Sequence, residues 1–126
     1  MPTPTDSTEI ARQLMHCLLT GDAEGVTRLY HDNFSAWRNF DNRTLTRKQA
    51  LKIVQILANN LQELRYDDVR VQPTPSGFVQ QHVMRCTAPN GQPVEAHVCM
   101  IATVKDGKLL RVDEYMESSQ MAPLMG

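Results

Sequence analysis

Little in this 126-residue chain ties it to nucleic acid, membrane or metal. Its 13 Lys and Arg face 14 Asp and Glu, a formal net charge of −1, so the basic excess of a phosphate-binding surface is missing. The longest apolar run, Val98–Val104, is strand length and far short of the roughly 18 residues of a bilayer span. Cys17, Cys86 and Cys99 form no CxxC pair and read as reduced thiols serving as small buried hydrophobes. No glycine-rich phosphate loop, nucleophile elbow or dinucleotide fingerprint occurs, so nucleotide-dependent chemistry has no support and no cofactor is expected. The opening Met1-Pro-Thr-Pro-Thr-Asp-Ser-Thr lacks the charged and apolar regions of a signal peptide, so a cytoplasmic protein is expected. The Asn42-Arg43-Thr44 sequon then reads as a chance match.

What is present suffices for one domain. A chain of this length buries about two-thirds of its unfolded surface without disulfide or metal staples. Residues 1–126 are therefore read as a single domain, with a core of about 7–117 and an apolar tail at 118–126. The first third carries helical periods. Asp6 and Glu9 have capping-box spacing, and Ile10, Leu14, Cys17 and Leu18 follow on one helical face. Gly21 stops that helix, and Asp22 caps a second that carries Val26, Leu29 and Tyr30 inward. Phe34–Phe40 reads as a short strand. Thr46 and Gln49 form another capping box, ahead of a helix whose Ala50, Ile53, Val54, Leu57, Leu61 and Leu64 share a face.

From Tyr66 onward the period changes from about 3.6 to 2. Val69 and Val71 alternate with polar neighbours up to a Pro73–Gly77 turn. Strands Phe78–Thr87, Val94–Val104 and Lys108–Glu117 follow, the last two joined by a tight Lys105-Asp106-Gly107 hairpin. Helices followed by an antiparallel meander make an α+β fold. Side chains alternate across a strand, so parity assigns faces. Val94, Ala96, Val98, Met100, Ala102 and Val104 form the face covered by helices. On the last strand Leu110, Val112 and Met116 share a face with Glu114, a carboxylate in an otherwise apolar row. A buried carboxylate is costly unless bonded or protonated, which marks it as a candidate for chemistry. On Phe78–Thr87 both faces carry polar groups, and parity does not choose between them.

Leu19-Thr20-Gly21-Asp22 at the first helix end, Leu29-Tyr30 in the second, an aromatic strand, a Thr46-capped third helix and the closing Asp106–Tyr115 segment form an ordered pattern. The pattern resembles the nuclear transport factor 2-like superfamily, especially its SnoaL-like bacterial members, over roughly residues 7 to 117. The resemblance implies a cone in which a curved antiparallel sheet wraps around three N-terminal helices. It also implies a pocket at the open end and a homodimer, here through the sheet. At the positions of ketosteroid isomerase residues stand Leu14 for the first-helix Tyr, Arg38 near the base and Met100 at about the buried Asp, so that chemistry is not expected. Trp37-Arg38-Asn39 resembles the Tyr-x-Asn element of limonene epoxide hydrolases, and Glu114 stands at their last-strand Asp. Their Arg-x-Asp pair falls at Gln81 and Val83. SnoaL-type polyketide cyclases use one pocket carboxylate, a role open to Glu114.

The expected site is a pocket in which Glu114 acts as general acid or base and Asn39 orients substrate or water. Trp37 stacks on a flat ligand, and Tyr30, Val98, Met100, Val112 and Met116 form walls. Gln81 and Arg85 stabilise a developing oxyanion if their face points inward. The ligand is then a small apolar carbonyl or hydroxyl compound, turned over by isomerase, cyclase/lyase or hydrolase chemistry without cofactor. The alternative is a non-catalytic ligand-binding or dimerisation module of the same fold, with the tail at Met121–Met125 adding apolar surface. Each residue also has a plain structural role open to it: Glu114 in an ion pair with an Arg, Trp37 in the core, Asn39 bonded to local backbone. His82, His97, Cys86, Cys99 and Glu95 share neighbouring strands but lack metal-ligand spacing, and no metal site is expected.

Overall fold

The computed structural model describes residues 4–125, without the side chains of residues 4–6, Ser118, Met121, Leu124 and Met125. Helices α1 (Pro4–Thr20) and α2 (Ala23–Leu29) lead into strands β1 (Tyr30–Arg38) and β2 (Arg43–Thr46). Helix α3 (Arg47–Asn60) precedes β3 (Gln62–Thr74), β4 (Gly77–Thr87), β5 (Pro93–Lys105) and β6 (Lys108–Met116). A 3-10 turn at Ser118–Met121 and a last helical turn, α4 (Ala122–Met125), close the chain. The strands form one six-stranded sheet in the order β2-β1-β6-β5-β4-β3.

Local chemistry accounts for most boundaries. Gly21 takes a left-handed backbone (φ +69°) after α1, and the Asp22 side chain accepts from the Gly25 amide to start α2. Thr46 and Gln49 make the reciprocal capping box at α3. Asp106 and Gly107 both have positive φ, the requirement of a two-residue type I′ hairpin whose twist matches its strands. The 1–126 pattern departs from expectation in several places. Helix α1 begins at Pro4, which puts Asp6 in its first turn; the Asp6 side chain, and with it the expected capping box, lies outside the described residues, and Glu9 accepts from Arg12. Helix α3 stops at Asn60, with Leu61 extended; Leu61 and Leu64 pack instead with Cys86, Ala88 and Val94 in a second cluster. Tyr30 leaves the helix and opens β1.

The sheet is mixed. β3 to β6 form the antiparallel meander, but β1 lies parallel to β6, with Arg38 beside Glu114. β1 also pairs with β2, a short strand that carries a single buried residue, Leu45. Parity holds along β5, where Val94, Ala96, Val98, Met100 and Ala102 are all buried against the helices. It fails where an extra residue enters a strand. A bulge between Leu109 and Arg111 buries Leu109 completely and leaves Leu110 only half-buried, reversing the expected face. β3 carries two such irregularities, near Glu63 and Asp68, both of which have positive φ. Bulges sharpen the local twist and bend the strand, which curves the sheet over α1 and α3.

Candidate active site

The helices do not fill the concave face of the sheet. A cavity of ≈ 200 Å³ remains, walled by Leu14, Met15 and Leu18 of α1, by Ile53, Val54 and Leu57 of α3, and by Val98, Met100, Val112 and Met116 from the strands. This explains why α3, strongly patterned in sequence, fully buries only Ala50. Its remaining apolar stripe, Ile53 and Val54 included, packs against the core only in part and lines the space with the rest of its surface. A dry cavity of about 150 Å³ is large enough for benzene, so this one has room for a single ring with a small substituent.

Among the described residues, Tyr30, Arg38, Tyr66, His82 and Glu114 bring polar side chains to the cavity wall, and Trp37 touches it. Glu114 sits mid-strand on β6, facing inward between Val112 and Met116, with Met100 as its neighbour on β5. It is half-buried because it borders the open space. Burial raises the proton affinity of its carboxyl above the ordinary carboxylate value, and the charge of Arg38 offsets part of that rise. Arg38 is itself held away: its guanidinium forks onto Asp41 and lies 4.6 Å over the Phe40 ring. The hydroxyls of Tyr30 and Tyr66 are driven upward in pKa, first by burial and then by the Glu114 charge, so both stay neutral donors. Tyr30 is fixed by parallel stacking on Phe34, with centroids 3.8 Å apart. Among the described residues no side chain hydrogen-bonds the Glu114 carboxyl or either hydroxyl. A carboxyl that wants its proton, flanked by neutral donors in an apolar cavity, is suited to accepting and returning a proton.

The structure separates the expected site residues into two groups. Glu114, Tyr30, Val98, Met100, Val112 and Met116 converge on the cavity. Gln81 and Arg85 do not. Their cross-strand partners are Cys99 and Glu95, on the outward parity of β5, so the condition for an oxyanion role is unmet. Arg85 instead pairs with Asp67 at 2.6 Å and Glu95 at 3.2 Å on the outer surface. Asn39 is exposed just beyond β1, and its Oδ1 accepts from the Met116 amide at 2.8 Å, which commits it to holding the end of β6. Trp37 touches the cavity, but its indole packs edge-on against exposed Tyr115 at 5.2 Å and donates to Asn42 Oδ1 at 2.9 Å.

Sequence reading missed Tyr66, Arg38 and His82 as wall residues. For His82 the signal was present, because Gln80, His82, Met84 and Cys86 share the inward parity of β4. Tyr66 was hidden by the bulge at Asp68, which puts Tyr66 and Val71, of opposite parity, on the same face. The same face assignment separates the residues once weighed for a metal: His82 and Cys86 point inward, while Glu95, His97 and Cys99 point outward. Among the described residues no group of three His, Cys, Asp or Glu converges on a point. No helix among them is long and apolar enough to cross a membrane.

Comparison with known proteins follows the fold. No curated protein matches the sequence. A nuclear transport factor 2-like protein of Burkholderia xenovorans superimposes with a TM-score of 0.79 at 13% identity, covering 97% of each chain. An LEH-like epoxide hydrolase of M. tuberculosis superimposes at 0.77 with 14% identity, over 96% of this chain and 90% of the other. A protein of ketosteroid isomerase-like fold from Catenulispora acidiphila, in complex with trimethylamine, gives 0.79 at 11% identity, over 93% and 92%. At such identities these likenesses establish the fold alone. The profile of the SnoaL-like domain matches residues 11–112, and this chain belongs to the SnoaL-like domain family.

Proposed function

We propose that this chain is a cofactor-free enzyme in which Glu114 moves a proton on a small, mostly apolar carbonyl or hydroxyl compound, in the manner of an isomerase, cyclase or hydrolase. The observation that carries the reading is the place of Glu114 in the wall of an apolar cavity that Tyr30 and Tyr66 also line, a setting whose burial raises the proton affinity of the carboxyl. Environments of this kind tune a carboxyl toward neutrality, where a general acid or base works best. The three unbridged cysteines suit a reducing, cytoplasmic setting. The outer face of the sheet, where Ile101 is 45% and Tyr115 is 42% exposed, is the proposed homodimer surface. Light scattering of Ile101→Arg, expected to run at half the mass of the parent, tests that part.

The chemical reading is tested by proton exchange. Wild-type protein in D2O should accelerate deuterium uptake next to the carbonyl of small cyclic ketones, followed by mass spectrometry. Glu114→Gln should bind the same ketones and lose the acceleration. If exchange persists in the variant, Glu114 is not the base. Binding by the wild type with no exchange favours the binding-module alternative.

A further inference from the structure

Gln80 and His82, two residues apart on the inward face of β4, form a pair that the chemistry above does not use. Gln80 is fully enclosed; its Nε2 lies 2.9 Å from His82 Nδ1, and its Oε1 has no partner. An amide nitrogen only donates, so Nδ1 accepts and the single imidazole proton sits on Nε2. Turning the amide over would strand two buried N–H donors, where the present orientation strands one N–H and the carbonyl oxygen, and an orphaned N–H is the rarer fault in folded proteins. The His82 ring is 5% exposed, packs edge-on against Tyr66 with centroids 5.0 Å apart, and borders the cavity. Among the described residues nothing bonds its Nε2, which leaves that N–H for a molecule in the cavity that His82 lines. Burial pushes the imidazole down to about 4, which keeps it neutral.

We propose that the Nε2–H of His82 is the donor that reads an acceptor oxygen, a ketone or aldehyde carbonyl, on the bound molecule, with Gln80 as the positioning residue that holds the tautomer. Glu114 and Gln80 are both cross-strand neighbours of Met100, from opposite sides. The ligand oxygen therefore lies on the β4 side of Met100, across from Glu114 on β6. With a cavity of ≈ 200 Å³, the class that it can enclose is a single-ring or comparably compact carbonyl compound. The inference rests on reading the cavity as a small-molecule site, and not on Glu114 performing chemistry.

Two probes of matched shape test it: acetophenone, which has the carbonyl, and isopropylbenzene, which does not. Affinities are measured for wild type, Gln80→Leu, His82→Phe and the Gln80→Leu/His82→Phe pair, the last removing both partners so that no buried amide is stranded. One neutral hydrogen bond is worth about 0.5–1.5 kcal/mol, so loss of His82 should shift the acetophenone-to-isopropylbenzene affinity ratio by about 2- to 12-fold. Gln80→Leu should shift it in the same direction. Nitrogen-15 NMR of wild type should show His82 neutral and protonated on Nε2 near neutral pH. A proton on Nδ1, or a charged ring at that pH, overturns the proposal. An unchanged ratio with both probes still bound overturns it while leaving the cavity reading intact. If neither probe binds, the cavity reading fails and this inference with it.

Discussion

Replacing Glu114 by glutamine should stabilise the folded chain, and increasingly so as the pH rises. In the folded state burial holds the carboxyl above its ordinary value of 4.5, and the Arg38 charge only partly opposes this. The unfolded chain returns the group to that ordinary value. Across the window between the two, the folded state therefore binds more protons than the unfolded one. Stability is full below the unfolded value, falls as the pH rises toward the folded one, and then stays at its reduced level. Each tenfold difference in proton affinity corresponds to about 1.4 kcal/mol, or about 5 °C in Tm for a domain of this size. Glutamine keeps the volume and never ionises, so the loss disappears in the variant. The assay is thermal unfolding of both proteins from about pH 4 to about pH 8 at constant ionic strength, plotted as the difference in Tm. The difference should climb and then level, and the height of the plateau reads the proton affinity directly. Glu117→Gln provides a control of opposite sign, because the Ser119 amide holds that exposed carboxyl below its ordinary value. A flat difference for Glu114→Gln, or a wild type that gains on the variant with rising pH, would refute the reasoning: the carboxylate would then be held ionised by Arg38.

Gly77→Ala places a Cβ 2.0 Å from the Ala102 carbonyl oxygen, where backbone must move; urea unfolding should show a loss of about 2–3 kcal/mol or more, and wild-type stability would contradict the packing. Thr46→Ala removes the capping box of α3 and should cost about 1 kcal/mol, whereas Thr46→Ser should be nearly neutral by the same measurement. Asn39→Ala leaves the Met116 amide without its acceptor and should cost about 1 kcal/mol, while ketone proton exchange per folded molecule stays at the wild-type rate. A selective loss of exchange with unaltered stability would return Asn39 to the chemistry.

The candidate site was legible in proportion to how local its signals were. Glu114 stands out because it shares a strand face with Val112 and Met116, a row from which the bulge removes only Leu110, and the structure places it in the cavity wall. Tyr30 was expected inward from α2 and does border the cavity, although it belongs to β1. Gln81 and Arg85 were referred to an undecided face of β4. Register with Cys99 and Glu95 turns them outward, because a strand with polar groups on both faces offers no apolar row to choose by. Trp37 and Asn39 were read from a likeness in spacing, which carries no information on whether an indole meets Tyr115 or an amide meets the Met116 N–H.

The sequence by itself determined the three N-terminal helices ahead of a meander, the caps at Asp22 and Thr46, the Asp106-Gly107 hairpin and the inward face of β5, but not the short strand β2. Each depends on residues within a few positions of one another, and a short peptide already holds the relevant donors, acceptors and backbone preferences. Only the tertiary structure decided the parallel seating of β1 on β6, the faces of β3 and β4, and the empty volume between α3 and the sheet. A bulge adds one residue and reverses parity without any compositional mark, as at Asp68 and Leu110. A cavity is set by how far packed elements stand apart, so the same apolar stripe on α3 serves equally as core or as the wall of a binding site.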